Sequence, residues 1–141
     1  MECVVYKTVR SLPLSPHYIE KIVFYVLNYL KKDASMSVHC IGDKKMRRLN
    51  VHYRHIDKTT DVLSFSNHEG EYMPGEHIGG DIFLCIPQIR RQAKNWNVSF
   101  KEEFTRMLIH GMLHSFGFDH VVKKDADKMF ALQEDLLNEL L

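Results

Sequence analysis

The chain has 141 residues, 45% hydrophobic and 26% charged, with a formal net charge of +1. That length and balance describe one domain, residues 1–141, able to bury about 70% of its unfolded surface without staples. They exclude a disordered chain, and because charge soon interrupts every apolar stretch they exclude a membrane span.

Residues 2–9 read as a first strand. Ser15-Pro16 offers a cap and a proline at the first helical position. Ile19, Ile22, Val23, Val26, Leu27 and Leu30 follow at helical spacing. Met36 to Ile41 alternates as a strand does, and Asp43 is the expected cap of a short helix carrying Met46 and Leu49. Residues 61–66 read as a strand, residues 67–79 as a loop around Pro74 and its neighbouring glycines, and residues 80–86 as an apolar strand. Pro87 opens another helix. Ser99-x-x-Glu102 has the form of a capping box and starts a further helix, with Phe104, Leu108 and Met112 on its buried flank. Asp125 is the expected cap of the last helix, whose apolar set is Met129, Leu132, Leu136, Leu137 and Leu140. Four strands and five helices in mixed order predict an α+β fold. It is a four-stranded mixed sheet packed with about five helices, with a metal site at the end of a central helix.

Cys3, Cys40 and Cys85 are far apart, form no C-x-x-C pair, and each falls in an expected strand. Buried, reduced thiols follow. The start of the chain, Met1 to Lys7, lacks the basic and apolar regions of a secretory signal, so a cytoplasmic location is expected. Lys44, Lys45, Arg47, Arg48, Arg54 and Lys58 gather against Asp57 alone. Such a cluster either tracks phosphates or is a solvated helix face.

The segment His110-Gly111-Met112-Leu113-His114-Ser115-Phe116-Gly117-Phe118-Asp119-His120 carries the chemistry. His110 and His114 lie one helical turn apart on the same face, where two imidazoles grip one ion. On a continuing helix His120 would be about 9 Å beyond His114, out of reach. Gly117 supplies the left-handed residue that ends a helix and lets the chain fold back. Three neutral histidines and no fourth protein ligand describe a catalytic zinc (Zn2+) site with one open position. One class of zinc peptidases has the same spacing, with a glutamate after the first histidine as general base. Here that residue is Gly111, which cannot act as a base, and the peptidase reading is disfavoured. Among the other histidines, His39, His52, His55, His68 and His77 show no ligand spacing. Met129, although placed like the methionine of a peptidase turn, reads as core.

The histidine run resembles the signature of the YbeY family, H-G-x-L-H-L-x-G-[YF]-D-H. Asn50-x-x-Tyr53-Arg54 followed by Asp57-x-x-Thr60-Asp61-Val62-Leu63-Ser64-Phe65 is similar to a second family segment, and Gly80-Asp81-Ile82-Phe83-Leu84-Cys85 to a third. Met129 and Glu134 match the spacing of the family's closing helix. Ser115 and Ser66 depart from the usual leucine and proline, at positions that are not ligands. The resemblance implies a zinc-dependent endoribonuclease for single-stranded RNA, acting on ribosomal RNA precursors at the small-subunit 3′ end and in ribosome quality control. Its implied partners are the RNA, small-subunit proteins and an assembly GTPase. The family's matching arginine implies that Arg54 supplies a cation for the developing phosphate charge, which a guanidinium suits by its bidentate geometry. Asp119 either orients an imidazole, acts on the water, or is a turn residue. Attack by water and attack by the neighbouring 2′-hydroxyl both stay open. So does a ribosome assembly factor whose zinc is structural.

Overall fold

The computed structural model describes residues 1–66, 78–118 and 122–141. Among them the elements run β1 (Glu2–Lys7), α1 (Pro16–Leu30), β2 (Ala34–Ile41), α2 (Asp43–Arg54), β3 (Val62–Ser66), β4 (Ile78–Cys85), α3 (Ile86–Asn95), α4 (Phe100–Ser115) and α5 (Lys123–Leu140). The strands form one sheet in the order β1-β2-β4-β3. β1, β2 and β4 run parallel, with Val5 beside Val38 and Val38 beside Ile82. β3 is an antiparallel edge, with Ser64 beside Ile82. The sheet is therefore mixed, as the mixed order of strands and helices suggests: no helix separates β3 from β4, and that pair is antiparallel.

Period-two alternation decides what each face of the sheet meets. Met36, Val38, Cys40, Ile82 and Leu84 face one way and join the main core with Ile19, Ile22 and Val26 of α1 and Phe104, Leu108 and Met112 of α4. Met129, Leu136 and Leu137 of α5 complete that core. Leu63 turns to the other face, where Ile41, Met46 and Cys85 form a smaller cluster under α2. α4 is central, in contact with α1, α3, α5, β3 and β4. At full burial each large aliphatic side chain contributes about 1.5–3 kcal/mol, so this inner layer dominates stability.

Local signals explain most element ends. The Ser15 hydroxyl accepts from the Tyr18 N–H at 3.1 Å and caps α1. The Ser99 hydroxyl accepts from the Glu102 N–H at 3.0 Å and caps α4. The Glu102 carboxylate meets the Arg106 guanidinium at 3.3 Å. Two expected caps are corrected. Gly42 and Val122 occupy the cap positions of α2 and α5, and Asp43 and Asp125 lie in the first turns. There a carboxylate still favours the positive end of the helix dipole, and Asp43 is bound by Arg91 at 2.7 and 3.1 Å. The first strand ends at Lys7, β4 begins at Ile78 inside the expected loop, and Ile86 belongs to α3. Residues 67–77 of that loop lie outside the described residues.

Candidate metal centre

α4 ends as the glycine predicts. Gly117 has φ +96°, its N–H donates to the His114 carbonyl at 3.1 Å, and the Phe118 N–H donates to the Leu113 carbonyl at 3.1 Å. This paired pattern closes the helix and turns the chain just after His114. Asp119 and His120 lie outside the described residues. Among the described residues no group of three or more His, Cys, Asp or Glu side chains forms a metal cluster. His110 and His114 are both on α4, one turn apart, the first half-buried and the second exposed.

The His110 ring is fixed from α5. Its Nδ1 is 2.7 Å from Gln133 Oε1, and its face stacks on Phe130 with centroids 5.9 Å apart and planes at 24°. Gln133 is only 4% exposed. With the Nδ1 proton given to a carbonyl oxygen, a neutral ring keeps its lone pair on Nε2, the form in which imidazole binds a cation. The donor set thus fits a borderline metal such as zinc. Gln133 escaped the sequence reading, yet a signal existed: it is a polar residue among Met129, Leu132, Leu136 and Leu137 on the buried side of α5.

Gly111 shows why the peptidase base is missing. A Cβ there would stand 3.0 Å from Val62 Cγ2, Ser64 Oγ and Ile82 Cγ2. The Ser64 hydroxyl also donates to the Gly111 carbonyl at 2.9 Å. α4 therefore lies against β3 and β4 at a point where no glutamate side chain fits.

Beyond His110, a cleft of about 560 Å³ is lined by Asp61, Trp96, Glu103, Arg106, Phe130 and Gln133, among others. It shares two walls with the His110 ring. Arg106 crosses it in ion pairs with Glu102, Glu103 and Glu134. Burial pushes the Glu134 carboxyl up, but hydrogen bonds from Arg106 and Gln133 and the Arg106 charge together hold it below the ordinary range.

The remaining sequence candidates separate. Arg54 is exposed at the end of α2. Among the described residues no hydrogen bond or ion pair joins it to His110 or His114. Lys44, Arg47 and Arg48 line an open groove with Val51 and His52, and Arg47 is paired with Asp57 at 2.7 Å. Asn50 is buried, and its Nδ2 donates to the Lys58 carbonyl at 2.8 Å, tying α2 to the chain before β3. His39 is a structural residue. Its Nε2 is 2.8 Å from Asp81, and its ring stacks between Tyr6 and Phe83 at 4.9 and 4.2 Å. His68 and His77 lie outside the described residues. Met129 is fully buried, and the three cysteines are free, with Cys40 and Cys85 buried and Cys3 half-buried. The Ser115 hydroxyl donates to the Met112 carbonyl at 2.8 Å, and Ser66 is the exposed last residue of β3.

At this site the fold is a helix pressed on a mixed sheet, ending in a glycine turn just past a histidine pair. Comparison with known proteins gives that fold a family. The profile described as Endoribonuclease YbeY matches residues 10–141. Proteins named Endoribonuclease YbeY are similar along most of the chain. That of Desulforamulus reducens is 40% identical over 112 residues, 77% of this chain and 73% of its own length. That of Treponema pallidum strain Nichols is 38% identical over 130 residues, 86% of this chain and 81% of its own. That of Acholeplasma laidlawii is 36% identical over 120 residues, 85% of each chain. The solution structure of TM1509 from Thermotoga maritima shares the fold, with a TM-score of 0.66 over 98% of this chain and 88% of that one at 23% identity. The chain belongs to the YbeY endoribonuclease family.

Proposed function

We propose that the protein is a zinc-dependent endoribonuclease that cleaves single-stranded RNA in ribosomal RNA precursors, at the small-subunit 3′ end and in ribosome quality control. Family membership supports the reaction class. The observation that carries the site is the His110–His114 pair with the His110 Nδ1 committed to Gln133. His110, His114 and His120 hold the ion. A bound zinc ion supplies Lewis acidity, both for activating water and for charge on a phosphoryl oxygen.

The chain's own residues supply the rest. Gln133 and Phe130 set the plane and tautomer of the His110 ring. Gly117, at φ +96°, ends α4 just past the histidine pair. Arg54 steadies the phosphate charge that grows during cleavage, and the basic groove of α2 follows the flanking phosphates. Asp119, beside His120, orients an imidazole or handles the proton of the attacking group. Small-subunit proteins and an assembly GTPase are its partners, in the cytoplasm. Among the described residues, no helix is long and apolar enough to cross a membrane.

The test offers one zinc-loaded preparation two substrates, a labelled ribosomal RNA precursor and casein. RNA cleavage with intact casein supports the reading, and end-group analysis then distinguishes attack by water from attack by the 2′-hydroxyl, which leaves a cyclic phosphate. Casein cleavage, or RNA left intact, overturns it.

A further inference from the structure

An imidazole grips a cation through an unprotonated nitrogen, so the neutral ring must carry its proton on the other one. At His110 the other nitrogen is Nδ1, and it faces Gln133 Oε1 at 2.7 Å. A glutamine amide presents an acceptor on one side and two donors on the other. It can turn over unless both ends are committed. Here both are, because Gln133 Nε2 donates to Glu134 Oε2 at 3.2 Å. An ionised carboxylate only accepts, so the NH2 group must point to Glu134 and the oxygen to His110. His110 Nδ1 must then donate.

Glu134 is itself held. Arg106 Nε donates to its two oxygens at 3.3 and 3.1 Å, and Nη2 donates to Oε1 at 3.1 Å. Arg106 in turn is anchored to the buried Glu103 at 2.8 Å. A guanidinium does not deprotonate in proteins, so the polarity of this chain of hydrogen bonds has a permanent origin. Gln133 is buried, so water has poor access to replace it.

We propose that Arg106, Glu134 and Gln133 form a relay that fixes the tautomer of His110 and thereby sets metal affinity, although none of the three is a ligand. This rests on the reading of His110 as a ligand. They are positioning residues, acting through the ring of His110. Charge-anchored partners of this kind change metal affinity by about 10- to 100-fold when removed.

The test compares wild type, Gln133→Leu, Gln133→Glu and Glu134→Gln, each checked for folding by circular dichroism. Two readouts are taken. One is the 15N spectrum of the His110 ring in metal-free protein at about pH 8, above the ordinary imidazole range. The other is zinc affinity by competition with a chromophoric chelator. Wild type is expected to show the Nδ1–H tautomer. Gln133→Leu, close in volume but without the acceptor, is expected to lose that preference and to bind zinc about 10- to 100-fold more weakly. Gln133→Glu keeps an acceptor for Nδ1 but loses the hydrogen bond to Glu134, so it is expected to keep the Nδ1–H tautomer and to bind zinc more tightly than Gln133→Leu. Glu134→Gln frees the Gln133 amide to turn and is expected to mix the tautomers, which keeps the proposal testable if Gln133→Leu does not fold. Unchanged tautomer and affinity in Gln133→Leu would overturn the relay, as would equal weakening in Gln133→Glu. A wild type that binds no zinc would defeat the ligand reading instead, while the metal-free spectrum would still judge the relay.

Discussion

Gly111→Ala adds a single methyl group where α4 meets the sheet, and its effect is a balance of two terms. Alanine in a helix interior is favoured over glycine by about 1 kcal/mol. Against this, the new Cβ would stand 3.0 Å from Val62 Cγ2, Ser64 Oγ and Ile82 Cγ2 at once. Two of these atoms belong to β-branched side chains with stiff χ1 angles. The third belongs to a hydroxyl already committed to the Gly111 carbonyl at 2.9 Å. None is the free end of a long side chain, so the helix or the sheet must move. Overpacking of this kind costs about 1–3 kcal/mol, and with about 2 kcal/mol taken here the net loss is about 1 kcal/mol. For a chain of this size that lowers Tm by roughly 2–4 °C. Thermal unfolding of wild type and variant, followed by circular dichroism, measures it. A variant as stable as wild type or more so would refute the close approach, and with it the argument that Gly111 leaves no room for a peptidase base. Gly111→Glu, which adds a carboxylate as well as bulk, is expected not to fold.

Other consequences are as direct. Arg106→Leu leaves the buried Glu103 carboxylate with Gln92, at 2.9 Å, as its remaining side-chain partner among the described residues; a loss of about 3 kcal/mol is expected in urea denaturation, and a loss within error would show that the network contributes little. Hydrogen bonds from Arg91 hold the Asp43 carboxyl below its usual range. A lowered carboxylate pKa contributes stability above its unfolded value of about 3.9 and loses it as pH falls through the folded value. Asp43→Asn should therefore leave Tm's pH dependence unaltered between about pH 5 and 7 and flatten it below about pH 4; a change confined to neutral pH would contradict the sign. Burial pushes the Cys40 thiol up to about 12 and the Cys3 thiol up to about 11, and since the thiolate is the reactive form, iodoacetamide near neutral pH should label Cys40 only on unfolding. Prompt labelling of Cys40 in the folded protein would refute its burial.

The helix that carries His110 and His114, and its glycine end, were legible because their signals are local. The i, i+4 spacing of His110 and His114 and the glycine at 117 need only the geometry of one helix and its end, and Gly117 adopts the left-handed conformation they imply. The apolar sets of α1, α4 and α5 likewise follow from period alone and are buried together. What stayed hidden depends on contacts between distant segments. The pairing of β2 with β4 in the middle of the sheet is one such feature, since no local pattern states which strands adjoin. Aspartate favours both the cap and the first turn of a helix, so sequence alone does not separate the two places for Asp43 and Asp125, and only backbone angles do. The role of Gln133 depends on a partner 23 residues away on another helix, which no local pattern states. Charge pattern places Arg54, exposed at the end of α2, in a basic cluster, and only the resemblance separates it from the other cations there.

The most direct measurement compares wild type with a folded His114→Ala variant on the same ribosomal RNA precursor, with a zinc chelator and then zinc restored. The account predicts cleavage by wild type that stops with chelator, returns with zinc, and is absent from the variant throughout. Equal cleavage by both proteins, or cleavage indifferent to the chelator, would contradict it.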